Sequence, residues 1–263
     1  MALLPLINEQ FGGTIWRMEI DEISDTIFVE VRDSEEKRVH FGAVNLASSQ
    51  VYFKDLQTSE RWLTGIEAAY DGVLLLHNYQ TESGPAHRGL EAIDANTGKT
   101  LWSNYTYAFD HLSVKGPIVY DTRIQPRKLF LADIKTGATT RIYEPSVYME
   151  LKNNIVLPMV TTPETIHDIG TTHHSPLTAH LLPVHPFGNT IHYLEYNNFR
   201  IVSLHALRRG QLTQSLYIID GVDKVYDDLL NIDIQKIQPE AFIMHKNRLV
   251  YIKNRSELKV LTM

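Results

Sequence analysis

The hydrophobic pattern of this chain is a recurring phrase: a short apolar stretch, a polar turn, then a stronger β-type run. It appears as Ile20–Ile23, Ser24-Asp25-Thr26 and Ile27–Val31, and returns as Gly65–Ala69, Tyr70-Asp71-Gly72 and Val73–Leu76. Further copies are His111–Val114 with Pro117–Tyr120, Val147–Leu151 with Ile155–Leu157, Ile191–Glu195 with Phe199–Leu204, and Ala241–Met244 with Arg248–Ile252. Asp-Gly, Lys-Gly and Asn-Asn between such runs predict hairpins, because Gly and Asn accept the positive φ of a tight turn. The equivalent positions Thr26, Gly72, Gly116, Asn154, Asn198 and Asn247 recur at intervals of 46, 44, 38, 44 and 49 residues, about 44 on average. Four short strands with their turns fill that length, the size of one propeller blade.

A second phrase follows the first. Leu90–Asp94, Ala95-Asn96-Thr97-Gly98 and Lys99–Trp102 form its best copy, and Leu129–Asp133, Ile134-Lys135-Thr136-Gly137 and Ala138–Ile142 its next. Asn45–Tyr52 and Leu207–Leu212 are weaker copies. The Asp side chain accepts backbone N–H groups across the turn, and Gly takes the left-handed position before the next strand.

The segment Leu90–Trp102 resembles the repeat of quinoprotein-type (PQQ-like, WD40-like) β-propellers, closely over about thirteen residues and partially over about 150. In that family the phrase joins the third and fourth strands of a blade. The whole chain also resembles uncharacterised Bacteroidota families known as domains of unknown function, a resemblance that implies no activity. The fold expected is therefore all-β: a single six-bladed β-propeller domain over residues 1–263, with four-stranded blades. Two β domains or an open sandwich is the alternative arrangement. Gly12–Trp16 reads like the second half of Thr97–Trp102, so Thr14–Glu19 is expected to be a fourth strand. The other end supplies Val250–Lys253 and Glu257–Thr262 without a fourth strand, so the N-terminal strand is expected to close the last blade. Trp16 and Trp102 then become equivalent packing anchors. Gly221–Asn231, with Val222, Val225, Leu229 and Leu230 near helical spacing, predicts a short surface helix. The acidic cluster Asp220, Asp223, Asp227 and Asp228 lacks the spacing of a calcium loop and reads as solvated helix ends.

Composition narrows the chemistry. The 263 residues include no cysteine, which excludes disulfide scaffolds, thiolate metal sites and cysteine nucleophiles. Enzymes using the quinone cofactor have larger rings, and many carry a vicinal disulfide against it; this chain departs from both, so no such cofactor is expected. A net charge of −6 offers no basic patch for nucleic acid. The start Met1–Asn8 lacks a basic region and is broken by Pro5, and no apolar run spans a membrane, which predicts a cytoplasmic chain.

Two constellations are candidates for chemistry. Six of the twelve histidines, His167, His173, His174, His180, His185 and His192, fall within 26 residues beside Glu164 and Asp168. Imidazole and carboxylate suit a divalent metal, with His167, Asp168, His173, His174 and His180 as the candidate ligands. They lie in the long segment Thr161–Pro186, whose length marks a functional loop. The first strands of the repeats, expected to line a central channel, carry Glu22, Glu67, His111, Glu150, Glu195 and His245. Ionisable groups facing one channel shift each other's pKa values and can hold a cation or move protons. The leading expectation is a non-catalytic module that binds a protein, peptide or small molecule on one rim without a cofactor. The alternative is a metal-assisted hydrolase or lyase using the histidine-rich loop or the channel carboxylates.

Overall fold

The computed structural model describes residues 3–81, 84, 86–113, 115–143, 160–167, 182–236 and 241–263. These residues are all-β, built from antiparallel sheets in which consecutive strands mostly pair. The chain divides into two compact units, Gly12–Pro158 and Met1–Phe11 with Met159–Met263. The first strand, β1 (Pro5–Gln10), belongs to the latter.

Within Gly12–Pro158 the described residues form three four-stranded meanders. The first is β2 (Thr14–Asp21), β3 (Thr26–Asp33), β4 (Arg38–Asn45) and β5 (Val51–Leu56). The second is β6 (Thr64–Tyr70), β7 (Val73–Tyr79), β8 (His87–Asp94) and β9 (Thr100–Asn104). The third is β10 (Tyr107–Ser113), β11 (Gly116–Asp121), β12 (Leu129–Ala132) and β13 (Thr139–Arg141).

The turns form as their residues dictate. Asp71 and Gly72 both take positive φ, 48° and 77°, as a two-residue hairpin turn that matches strand twist requires. Asp94 Oδ1 accepts the Thr97 N–H at 2.8 Å and its hydroxyl at 2.7 Å, and Asp133 Oδ1 accepts the same groups of Thr136 at 2.8 and 2.9 Å. Asn45 plays this part in the weaker copy, accepting the N–H groups of Ala47 and Ser48.

The core of this unit explains why β7 is apolar without alternation. Leu74 and Leu76 pack with Phe28, Phe41 and Ile66, while Val73 and Leu75 face Leu90, Ala92, Val119 and Ala132. A strand covered on both faces needs apolar side chains at every position. Each fully buried leucine contributes about 1.5–3 kcal/mol.

The other unit holds two sheets. One orders β15 (Glu164–His167), β16 (Thr190–Tyr196), β17 (Phe199–Arg208), β18 (Gln211–Asp220) and β19 (Asp223–Asn231). The second orders β1, β22 (Glu257–Thr262), β21 (Arg248–Lys253), β20 (Ile243–His245) and β14 (Val160–Thr161). Ile201, Leu216 and Ile218 pack with Phe242, Met244, Leu249 and Leu261 in its core.

Three expectations are corrected here. An N-terminal strand does pair with the C-terminal one, but it is Pro5–Gln10 against Glu257–Thr262, with Ile7 opposite Val260. Ile7 and Phe11 are buried, and the Phe11 N–H donates to Ser256 O at 2.8 Å. Thr14–Asp21 instead pairs with β3, and Gly13 before it lets the chain pass close to that strand: a Cβ there would stand 2.8 Å from Arg32 O. Second, Asp223–Asn231 is a strand. Its register against β18 slips past Val225 and again past Leu230, and each bulge resets the alternation, so the apolar residues fall at a spacing that imitates a helix. Third, Trp16 is 69% exposed, whereas Trp102 lies against Gly137 and donates Nε1–H to Ile134 O at 2.7 Å; the two are not equivalent. The predicted hairpin Val147–Leu157 lies outside the described residues.

Candidate functional site

The first strand of each sheet in Gly12–Pro158 carries one extra residue. The β2–β3 register steps from Ile15↔Val31 to Arg17↔Glu30 and leaves Trp16 unpaired in the ladder. The β6–β7 register steps from Ile66↔Leu76 to Ala68↔Leu75 around Glu67. The β10–β11 register steps from Phe109↔Val119 to His111↔Ile118 around Asp110. A bulge bends the strand and re-aims the side chain it carries.

At Glu67 a second bulge lies close by. The β7–β8 register steps from His77↔Leu90 to Asn78↔Arg88 around Gly89, whose φ of 80° an L side chain rarely adopts. The two bulges bring three polar side chains together. Nδ1 of His87 lies 2.8 Å and Nδ1 of His77 3.1 Å from the same oxygen, Glu67 Oε2. Side-chain exposure grades across the group, from 1% for His77 through 11% for Glu67 to 32% for His87, so one side opens to solvent. The imidazoles stack 3.5 Å apart and 6° from parallel, and Tyr79 stands edge-on to both at 4.7 and 5.1 Å.

The surroundings hold this group from behind. Arg17 donates to Ile66 O at 2.8 Å and to Glu67 O at 3.2 Å, which ties β2 to the bulge. Glu30 accepts the Ile66 N–H at 2.9 Å and Arg32 Nε–H at 2.7 Å, and Arg32 reaches on to Trp62 O and Thr64 O. The Arg32 guanidinium also lies 4.8 Å over the Trp62 ring.

Burial shapes the electrostatics. It would push the Glu67 carboxyl up, but His77 and His87 outweigh it and hold the group below its ordinary value. Burial pushes His77 down against the pull of the Glu67 carboxylate, which favours its neutral form. Nearby Glu19 is pushed up by burial, against the opposing charge of Arg17. Among the described residues, Glu67, His77 and His87 are the group whose ligand atoms all lie within 4.8 Å of one another, the spacing a metal ion needs. The same group can also pass a proton between imidazole and carboxylate.

The other predicted residues lie elsewhere. His111 pairs through Nδ1 with Asp110 at 2.8 Å, and Asp110 also meets Arg127 at 3.1 Å. Glu22 sits in the turn after β2. Glu195 is an exposed residue of β16 that accepts the Tyr193 hydroxyl, and His245 is fully buried at the end of β20; both belong to the other unit. His167 is exposed on β15, with Nδ1 3.1 Å from Thr190 Oγ1. Glu150, Asp168, His173, His174 and His180 lie outside the described residues. Sequence reasoning missed His77 and His87. The glycine inside the strand-like run His87–Asp94 was the available signal, since an interior glycine marks a bulge or a close approach.

Comparisons with known proteins add little to this geometry. A family model described as a domain of unknown function, DUF4905, matches residues 20–102. No curated protein matches. Among solved structures the chain is similar to BamB from Moraxella catarrhalis, at 11% identity and a TM-score of 0.33, over 94% of this chain and 84% of that one. It is also similar to the β-propeller domain of the Trilobed protease from Pyrococcus furiosus, at 11% identity and a TM-score of 0.36, over 94% of this chain and 79% of that one.

Proposed function

We propose that this chain is a non-catalytic binding module built on a six-bladed β-propeller, and that its ligand seats where the first-strand bulges present Trp16, Glu67 and Asp110. The observation that carries this reading is the bulge itself, which recurs at a corresponding place in three successive sheets. A bulge interrupts ladder pairing, and its repetition inside the first strand of successive sheets supports a role in presenting side chains. Trp16 supplies an exposed aromatic plane, and the two carboxylates favour a cationic or hydrogen-bonding ligand, a small polar molecule or a peptide.

A thermal-shift panel of polar metabolites and short peptides tests the reading, run on the parent protein and on Trp16→Ala and Asp110→Asn. Compounds that raise the melting temperature of the parent and lose that effect in either variant support it. A panel without any stabilising compound, or hits indifferent to both substitutions, overturns it.

The second reading, a metal-assisted hydrolase or lyase, is favoured by the convergence of Glu67, His77 and His87. Turnover of ester or phosphoester substrates that disappears in Glu67→Gln would favour it over binding alone.

A further inference from the structure

We propose that Glu67, His77 and His87 bind one divalent transition-metal ion of the zinc class. This deepens the preceding reading by naming what the Glu67 part of that face holds, and it rests on that reading only for its location.

The donor set comes first. Two imidazole nitrogens with one carboxylate suit zinc, cobalt, nickel or iron(II); calcium and magnesium prefer oxygen donors throughout. The spacing agrees, since all ligand atoms lie within 4.8 Å of one another and the two separations from Glu67 Oε2 are 2.8 and 3.1 Å. Ligands about 2 Å from one ion stand about 3–3.5 Å from each other.

His77 supplies an independent observation. Its side chain is almost wholly buried, yet neither ring nitrogen makes an aligned hydrogen bond among the described residues. The 3.1 Å approach of Nδ1 to Glu67 lies off the direction in which a ring N–H donates. Leaving a buried polar group without a partner is unfavourable. A site built only for hydrogen bonding would turn the imidazole onto the carboxylate, as His87 does. An ion beside Glu67 gives the buried nitrogen a partner.

The supporting shell is that of a positioned site. Tyr79 braces both rings, Glu30 and Arg17 hold the backbone on either side of Glu67, and Gly65 leaves room for the His77 ring. Three protein ligands with a partly exposed third leave a coordination position open, which separates this site from closed four-ligand structural zinc. Two lone pairs cannot converge on an ion from parallel planes, so binding must splay the stacked imidazoles. The more exposed His87 is the ring with room to turn.

The test uses the full chain, stripped with chelator and titrated with Zn²⁺ by calorimetry and with Co²⁺ by visible absorption. One ion per chain is expected, with a Co²⁺ spectrum of nitrogen and oxygen ligands. Glu67→Gln and His87→Gln should each weaken binding at least about tenfold, while His167→Gln on β15 leaves it unchanged. His87→Gln, at the exposed end of the group, keeps the test valid should substitution of buried His77 unfold the chain; a melting curve of each variant verifies folding. Absence of stoichiometric binding, or binding that survives both ligand substitutions, overturns the proposal. That failure leaves the compound panel with Trp16→Ala and Asp110→Asn to stand or fall separately.

Discussion

The ring of His77 passes Gly65 so closely that a β-carbon there would stand 3.3 Å from both its Cε1 and its Nε2, and 3.1 Å from Glu30 Oε2. Neither neighbour has room to give. Tyr79 and His87 hold the ring, and the Ile66 N–H and Arg32 hold the carboxylate. Gly65→Ala is therefore expected to destabilise the protein by about 1–3 kcal/mol, as overpacking does. Chemical denaturation measures this, and a change below about 0.5 kcal/mol would show that the pocket is looser than its contacts indicate.

The two tryptophans separate by burial. Trp16→Ala should change stability by no more than about 0.5 kcal/mol, because the ring is largely in water. Trp102→Ala should cost about 3 kcal/mol, since it opens the contact with Gly137 and leaves Ile134 O without its 2.7 Å donor. Equal losses in the two variants would restore the equivalence that their shared sequence context implies.

Asp228 joins β19 to β21 and β22 through Lys253 Nζ at 2.6 Å, Lys259 Nζ at 3.1 Å and the Tyr251 hydroxyl at 2.9 Å. Burial pushes its carboxyl up, but Lys253, Tyr251 and Lys259 outweigh it and leave the group below its ordinary value. A carboxyl held low in the folded state stabilises above the ordinary carboxylate range, and that stability is lost as pH falls through it. Asp228→Asn should cost about 3 kcal/mol at neutral pH, because it takes the nearest carboxylate from two partly buried ammonium groups. It should also flatten the stability profile below pH about 4. An unchanged acid limb would place the acid sensitivity elsewhere.

His205 titrates in a separate window. Burial first, and neighbouring His192 second, push it from 6.5 down to about 4. Between those values the unfolded chain holds a proton that the folded chain does not, so stability falls as pH drops from about 6.5 to 4. Urea midpoints at several pH values should show that slope in the parent protein and a shallower one in His205→Gln. Identical slopes would count against a neutral, buried imidazole.

Legibility in the sequence divides along contact range. Asp71-Gly72, Asp94–Gly98 and Asp133–Gly137 name their own turns, because the bonds that hold them close within five residues. Glu67 is legible as a first-strand carboxylate because it lies in the apolar run directly before Asp71-Gly72. His77 and His87 are not, since only pairing across β6, β7 and β8 brings them to it. The same limit explains the misplaced closing strand: Gly12–Trp16 shares a sequence phrase with Thr97–Trp102, yet the edge a strand joins depends on the residues it meets.

By itself the sequence determined the β-type runs, the hairpin turns between them and the absence of thiol chemistry. These follow from φ preferences, side-chain-to-backbone bonds and composition, none of which needs a distant partner. The tertiary structure decided that Pro5–Gln10 lies against Glu257–Thr262, that Asp223–Asn231 is a strand, and that Glu67, His77 and His87 converge. Each depends on bulges and pairings where one residue of slip turns a side chain to the opposite face. The free energy that selects between those registers comes from burial across the whole sheet.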